Sequence, residues 1–321
     1  MLDLSRAAVA VLLAVACAGF GPPAEQGSST ATTLAPAPAL FDRVTVIGAS
    51  VSDGFGVVIR SDGTDSPRAE QAAAVDLADI LLAACPDGSC VIHSYATNWV
   101  FTNPPEICRG QVERALKNDP TLILAIDFLF WHAYGALNRN SEALTSEDQR
   151  LELLELGLSR LDEFTAKGIP LVVGDLPDMQ EAVGKMISAN QVPKPETIAK
   201  LNARIAQWAA TKSKVILLPL SSFSEKLRKG EPVEASGKTW ASATHGPLLQ
   251  RDQLHLTLNG SIAMVAAAID AARALDPQAP FQWNFDVPAV LQRLREKKLD
   301  ASVANAPTPV PAATGSSPAG P

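Results

Sequence analysis

The sequence predicts an α/β fold in which helices cover both faces of a parallel sheet of about five strands. Short apolar runs alternate with longer helical patterns along the chain. The short runs are continuously apolar rather than alternating, as expected of strands that are buried on both faces. Strand–helix–strand alternation of this kind produces right-handed crossovers and therefore parallel pairing.

Five apolar runs are the candidate strands: Val44–Gly48, Cys90–Tyr95, Thr121–Asp127, Pro170–Gly174 and Lys214–Leu218. Five helical patterns lie between or after them: Ala69–Ala84, Glu106–Lys117, Ser146–Lys167, Lys194–Thr211 and Thr257–Leu275. Ser146 and Gln149 have the spacing of a capping box, and Gly168 follows the end of the same helix. Functional groups in such sheets gather beyond the carboxyl ends of the strands.

The chain divides by composition into a folded domain and two flanking segments. Its 321 residues are 47% hydrophobic, enough for one large core or two modest ones. Residues 1–18 are expected to be an export signal, 19–40 a linker rich in Pro, Ala, Ser, Thr and Gly, and 41–299 the domain. Residues 300–321 are expected to be disordered, because they have too little apolar surface to offset the entropy of ordering.

The N-terminus has the pattern of an export signal. Arg6 precedes the apolar run Ala7–Phe20, which is too short for a membrane-spanning helix. Three alternatives stay open: cleavage after small residues near Ala16 or Ala18, a bacterial lipoprotein signal that makes Cys17 the lipidated first residue, or an ordinary apolar helix. The first two place the protein in the periplasm or outside the cell, and the second also anchors it to a membrane.

The charge balance and the cysteines exclude some functions. A net charge of −7 argues against a nucleic-acid partner, since phosphate binding requires clustered Lys and Arg. Cys85 and Cys90 enclose a turn and could form a disulfide, which fits an oxidising compartment, although buried thiols are the alternative. With Cys108 they lack the second Cys or His pair of a zinc site, so no metal is expected.

Two short stretches at opposite ends of the predicted domain carry the chemistry. Gly48–Gly56 follows the first strand and contains Ser50, and Asp252–Gly260 places an aspartate three residues before His255. Together Ser50, His255 and Asp252 could supply a nucleophile, its base and the carboxylate that orients the base. The structural alternatives are a small turn residue, a buried histidine and a capping aspartate, and Ser52 is a rival nucleophile.

These two stretches resemble the first and last sequence blocks of the SGNH/GDSL hydrolase superfamily of esterases and lipases. The resemblance covers about Val44 to Leu275 and implies a three-layer α/β/α, flavodoxin-like fold without a metal or organic cofactor. It implies that Ser50 attacks an acyl carbonyl, His255 is the base and Asp252 orients it. The Ser50 N–H would form part of the oxyanion hole. The implied substrate is a small-molecule, lipid or glycan ester.

The inner blocks of the family are altered in this chain. Ala49 replaces the family's Asp beside the nucleophile, and the region Ser94–Asn98 lacks the usual glycine. One alignment places Asp127 where the family has an Asn, and an ionised carboxylate facing the oxyanion would repel it. The other alignment places Leu129 there, so neither supplies the amide donor. Our hypothesis is that Asn98, which lies past the second strand, replaces it. Asp127, Phe128 and Trp131 are candidates for the substrate pocket.

The sequence thus predicts an exported serine esterase that hydrolyses or transfers an acyl group through an acyl-enzyme on Ser50. The altered inner blocks keep open a catalytically silent protein of the same fold that binds an acylated glycan or lipid. A cell-envelope acyltransferase is a third alternative, because it uses the same triad and differs only in whether water or an acceptor hydroxyl attacks.

Overall fold

The computed structural model describes residues 39–60, 72–85, 90–135, 146–279 and 282–300. The predicted export signal, with Cys17, and nearly all of the predicted linker and tail lie outside these residues. Within the described residues, no helix is both long enough and apolar enough to cross a bilayer.

The centre of the fold is a five-stranded parallel sheet. Its strands are β1 (Arg43–Val46), β4 (Val91–Ser94), β5 (Leu122–Ala125), β6 (Leu171–Gly174) and β7 (Val215–Leu218), in the order β4-β1-β5-β6-β7. Every sheet strand overlaps one of the five predicted apolar runs. Numbered within the sheet, the order is 2-1-3-4-5, as in flavodoxin-like folds, so ligands are expected where the order reverses beside β1. The predicted three-layer α/β/α, flavodoxin-like fold is confirmed.

Helices flank the sheet on both faces. In chain order they are α1 (Leu77–Ala84), α2 (Pro104–Leu116), α3 (Phe130–Tyr134), α4 (Glu147–Thr165), α5 (Pro195–Ala210), α6 (Leu220–Lys229), α7 (Ser242–His245), α8 (Leu258–Arg273) and α9 (Val287–Arg295). At the start of α4 the Ser146 N–H donates to Gln149 Oε1 at 3.0 Å, as the capping-box spacing predicts.

The alternation of side chains along β5 separates two hydrophobic cores. Leu122 and Leu124 point into a core that includes α1, α8 and α9. Ile123 and Ala125 point to the opposite face, into a core with residues of α2, α4 and α5. All four side chains are fully buried, which explains why the strand is continuously apolar.

The first predicted helix begins later than expected. Ala72–Ala74 form β3, which pairs antiparallel with β2 (Val58–Arg60), and α1 starts at Leu77. Asp76 caps this helix by accepting from the Asp79 N–H at 2.8 Å, while Asp79 accepts from the Asp76 N–H. An alanine-rich run has high helix propensity, but this capping box sets the boundary.

The fold also contains small elements that the sequence patterns do not predict. A second hairpin consists of β8 (Val233–Ala235) and β9 (Lys238–Trp240), and a π-helical turn spans Glu296–Asp300. Three-residue strands and single helical turns are too short to produce a readable periodicity.

A disulfide between Cys85 and Cys90 joins the end of α1 to the start of β4. Cys108 on α2 is a buried free thiol. Burial, together with the charge of Asp127, raises the pKa of this thiol, so its nucleophilic thiolate is suppressed.

Candidate active site

Ser50 lies on a tight turn directly after β1. Gly48 in this turn has φ of +153°, and a Cβ there would lie 2.2 Å from Asp127 Oδ1 and 2.6 Å from Ser52 Oγ. A residue other than glycine would therefore collide with the groups beneath the turn. The buried side chain of Gln111 on α2 bonds both backbone groups of Gly48, accepting from its N–H at 3.0 Å and donating to its C=O at 2.8 Å.

The carboxylate of Asp127, just past β5, holds the turn from below. Oδ1 accepts from the Ala49 N–H at 2.9 Å and from Ser52 Oγ at 2.6 Å. Oδ2 accepts from the Val51 N–H at 2.8 Å and from the Ser52 N–H at 3.3 Å. Both oxygens are thus engaged by the backbone around the nucleophile. We therefore interpret Asp127 as a residue that positions the turn of Ser50.

The base lies on a closed loop that leads into α8. The Gln250 N–H donates to the His255 carbonyl at 2.8 Å, which joins the two ends of the loop. Asp252 Oδ1 accepts from the N–H groups of Leu254 and His255, each at 2.9 Å. These bonds fix the aspartate within the loop and leave its other oxygen free to orient the ring of His255.

The structure brings the three predicted residues into contact across the fold. His255 Nε2 lies 2.9 Å from Ser50 Oγ, although 205 positions separate the two residues. His255 Nδ1 lies 2.8 Å from Asp252 Oδ2. This is the relay of nucleophile, base and orienting carboxylate that acyl transfer requires. Ser50 and His255 are both buried, while the Asp252 side chain is 15% exposed.

Burial and hydrogen bonding act in opposite directions on the pKa values of the pair. Burial lowers the pKa of His255, because it disfavours the charged imidazolium, and Asp252 only partly compensates. Burial by itself would raise the pKa of Asp252, but the backbone and side-chain hydrogen bonds from His255 and the Leu254 N–H outweigh it and lower that pKa. A neutral imidazole therefore faces a carboxylate near neutral pH, as a general base requires.

A ring from the nucleophile segment covers the imidazole. The Phe55 ring centroid lies 4.4 Å from that of His255, and the Phe55 residue is 37% exposed. Gln250 Nε2 links the two segments by donating to the carbonyls of Phe55 at 2.7 Å and Leu256 at 2.8 Å. Phe55 and Gln250 therefore hold the two halves of the site together.

The turn of Ser50 contains one backbone donor without a partner in the described part of the chain. The N–H groups of Ala49, Val51 and Ser52 all donate to Asp127, and the Phe55 N–H donates to the Ser50 carbonyl. Among the described residues, the Ser50 N–H has no hydrogen-bond partner. A backbone donor beside the nucleophile is the group that an oxyanion hole uses.

Asn98 lies beside the nucleophile turn. The Thr97 N–H donates to the Gly48 carbonyl at 3.2 Å, and the Asn98 N–H donates to Asp53 Oδ2 at 2.9 Å. The Asn98 side-chain oxygen is buried and has no hydrogen-bond partner in the described part of the chain. This oxygen is an acceptor, whereas an oxyanion needs the NH₂ group of the amide, so the role of Asn98 as the second oxyanion donor stays a prediction.

Not all of the candidate pocket residues line the cavity next to Ser50. Asp127 does, but Phe128 and Trp131 pack into the core between the sheet and α4, and Phe130 lines the cavity in their place. Phe128 stacks on His132 at 5.7 Å between centroids. Burial lowers the pKa of His132 to about 4, which makes it a neutral core residue.

The rival nucleophile Ser52 has no base beside it in the described residues. Ser52 is fully buried, and its hydroxyl donates to Asp127 rather than to a base. Within the described ranges, no group of three or more His, Cys, Asp or Glu side chains could hold a metal ion.

Sequence patterns did not identify Gln111, Phe55 or Gln250 as parts of the site. Gln111 left one signal: it is a polar residue within the buried face of α2, which also contains Cys108 and Ala115. Such a residue needs a hydrogen-bond partner, but the spacing cannot show that the partner is the nucleophile turn.

Neither protein-family models nor curated proteins match the chain. Among solved structures, a GDSL-like lipase from Parabacteroides merdae matches with 13% identity and a TM-score of 0.46, over 74% of this chain and 100% of its own. A gut microbial diltiazem-metabolizing enzyme matches with 10% identity and a TM-score of 0.45, over 74% of this chain and 48% of its own, so the chain spans about half of that enzyme. A catalytic mutant of an acetylxylan esterase from Geobacillus stearothermophilus matches with 15% identity and a TM-score of 0.38, over 76% of this chain and 96% of its own.

The fold is the one that the SGNH resemblance implies. We therefore infer the function from the contacts of Ser50, His255 and Asp252.

Proposed function

We propose that the chain is an SGNH-type serine esterase that works through an acyl-enzyme on Ser50. The observation that carries this proposal is the pair of contacts made by His255, at 2.9 Å to Ser50 Oγ and 2.8 Å to Asp252 Oδ2. The unused N–H of Ser50 supports it, because acyl transfer also needs a donor for the oxyanion.

The proposed reaction has two half-reactions. Ser50 Oγ attacks the ester carbonyl carbon while its proton passes to His255 Nε2, and the carbonyl oxygen becomes an oxyanion that accepts from the Ser50 N–H. The bond to the leaving alkoxide then breaks as His255 returns the proton to it. A water molecule, deprotonated by His255, attacks the acyl-enzyme, and the acid leaves as Ser50 recovers its proton.

A fluorophosphonate probe tests the assignment of the nucleophile. We expect stoichiometric labelling of the wild type and none of Ser50→Ala. Ser52→Ala is the matched control, because it removes the neighbouring hydroxyl, and it should still be labelled. Labelling that persists in Ser50→Ala, or that is lost only in Ser52→Ala, would contradict the proposal.

The alternative is a catalytically silent protein that binds an acylated ligand, and it predicts no ester turnover. Ester turnover by the wild type that is lost in His255→Ala excludes it, whereas ligand binding without any turnover favours it. An acyltransferase would use the same residues. Product analysis with an added sugar or alcohol acceptor separates transfer from hydrolysis.

We also propose that the protein is exported. Arg6 with the following apolar run supports this, and so does the Cys85–Cys90 disulfide, because disulfides persist in oxidising compartments. The intact mass of the protein recovered from its native host distinguishes simple cleavage from lipidation on Cys17. Cys17→Ser should release it from the membrane fraction only in the second case.

A further inference from the structure

A small apolar cavity opens beside the nucleophile. Besides Ser50, Val51, Asp127, Pro177 and Ser224, its wall consists of six apolar side chains from five parts of the fold: Phe130, Met179, Leu220, Leu254, Leu256 and Met264. Its volume is about 20 Å³. This space is small, and it fits a short apolar group such as a methyl better than a chain of several carbons.

The wall is held in place by its own packing. The Phe130 ring stacks on Tyr134, with centroids 4.1 Å apart and an angle of 11° between the planes. The Tyr134 hydroxyl donates to the Pro177 carbonyl at 2.5 Å, which joins α3 to the loop after β6. Met264 on α8 is only 1% exposed. A longer group that stays within this wall must displace side chains that are already closely packed.

We infer that the site is specific for a two-carbon acyl group, and that Met264 and Met179 set this limit. The inference rests on the proposed esterase function. The acetyl carbonyl would lie at Ser50 Oγ, with its methyl in the cavity, because the lining is apolar and a methyl fits the available volume. Each longer acyl chain must push the wall outward, and the strain of overpacking lowers turnover.

Esters of nitrophenol with acetate, butyrate and octanoate test this, because only the acyl group changes between them. For the wild type we expect kcat/KM to be about 10- to 100-fold higher for acetate than for butyrate, and lower still for octanoate. Met264→Ala removes three heavy atoms from the wall. It should raise the butyrate-to-acetate ratio of kcat/KM by about tenfold.

Two further variants make the test independent of a folding defect. Met179→Ala opens the same cavity from a loop rather than from a core helix, and it should shift the ratio in the same direction. Ile269→Ala creates a comparable void on α8 but does not touch the cavity. It should lower the melting temperature and leave the ratio unchanged within about twofold.

The outcomes separate this inference from the proposed function. Turnover that depends on Ser50 but is equal for the three esters, or highest for octanoate, overturns the acetyl limit alone. The acetyl limit is also overturned if the butyrate-to-acetate ratio of kcat/KM stays unchanged in folded Met264→Ala and Met179→Ala. If no ester of any length is turned over, the proposed function fails and this inference fails with it.

Discussion

Asp127→Asn is the substitution whose effect the structure defines most sharply. The carboxylate accepts four hydrogen bonds from the nucleophile turn, three from backbone N–H groups and one from the Ser52 hydroxyl. An amide replaces one acceptor oxygen by an NH₂ donor. In its best orientation the NH₂ lies at the Oδ1 position, where the Ser52 hydroxyl can rotate to accept but the Ala49 N–H loses its partner.

The expected loss in the free energy of unfolding follows from counting these hydrogen bonds. One hydrogen bond to a charged group is lost, which is worth about 1.5–3 kcal/mol, and three others weaken by roughly 0.5–1 kcal/mol each when the acceptor becomes neutral. The free energy of unfolding should therefore fall by about 3–6 kcal/mol. That is a large part of the 5–15 kcal/mol typical of a domain, but the protein can remain folded.

Denaturant unfolding followed by tryptophan fluorescence measures the stability, and kcat/KM on nitrophenyl acetate measures the site. We expect activity to fall by about 100-fold, because the turn that places Ser50 loses its support and a displacement of about 1 Å costs that much. Ser52→Ala, which removes one of the four bonds, should lose only about 1–3 kcal/mol. An unchanged unfolding free energy would refute the positioning role, and higher activity in Asp127→Asn would show that the carboxylate repels the oxyanion.

Three further predictions concern the base, the support of the turn and the disulfide. Burial lowers the pKa of His255 below its ordinary 6.5, and the neutral ring is the active form. The value of kcat/KM should therefore rise with pH and reach half its plateau below pH 6.5. A midpoint above pH 7 would contradict this. Gln111→Ala leaves the Gly48 N–H unpaired, while the Gly48 carbonyl keeps its bond from the Thr97 N–H. It should cost about 1.5–4 kcal/mol in denaturant unfolding, and a loss below about 1 kcal/mol would mean that water replaces the amide. Replacing both Cys85 and Cys90 by Ser removes the cross-link and should lower the free energy of unfolding by about 2 kcal/mol, which a lower Tm would show. The value of kcat/KM at 25 °C should stay the same. A loss of activity would mean that the disulfide supports the active site.

The sequence predicted the sheet well and the small elements poorly. A strand that is covered on both faces is continuously apolar, as Leu122–Ala125 is, so it can be recognised from its own residues alone. The start of α1 was missed because the pairing of Ala72–Ala74 with Val58–Arg60 overrides helix propensity. The paired residues lie about a dozen or more positions apart along the chain, so no local pattern shows the pairing.

By itself the sequence determined the fold class, the place of Ser50 after the first strand, and the local pair of Asp252 and His255, because each depends on neighbours a few positions away. Only the tertiary structure decided the rest: the contact between Ser50 and His255 across 205 positions, the bonds from the Ser50 turn to Asp127, and the size of the cavity beside Ser50. Contacts and volumes of this kind depend on how distant elements pack, and the pattern of a single segment contains no information on which side chains it will meet.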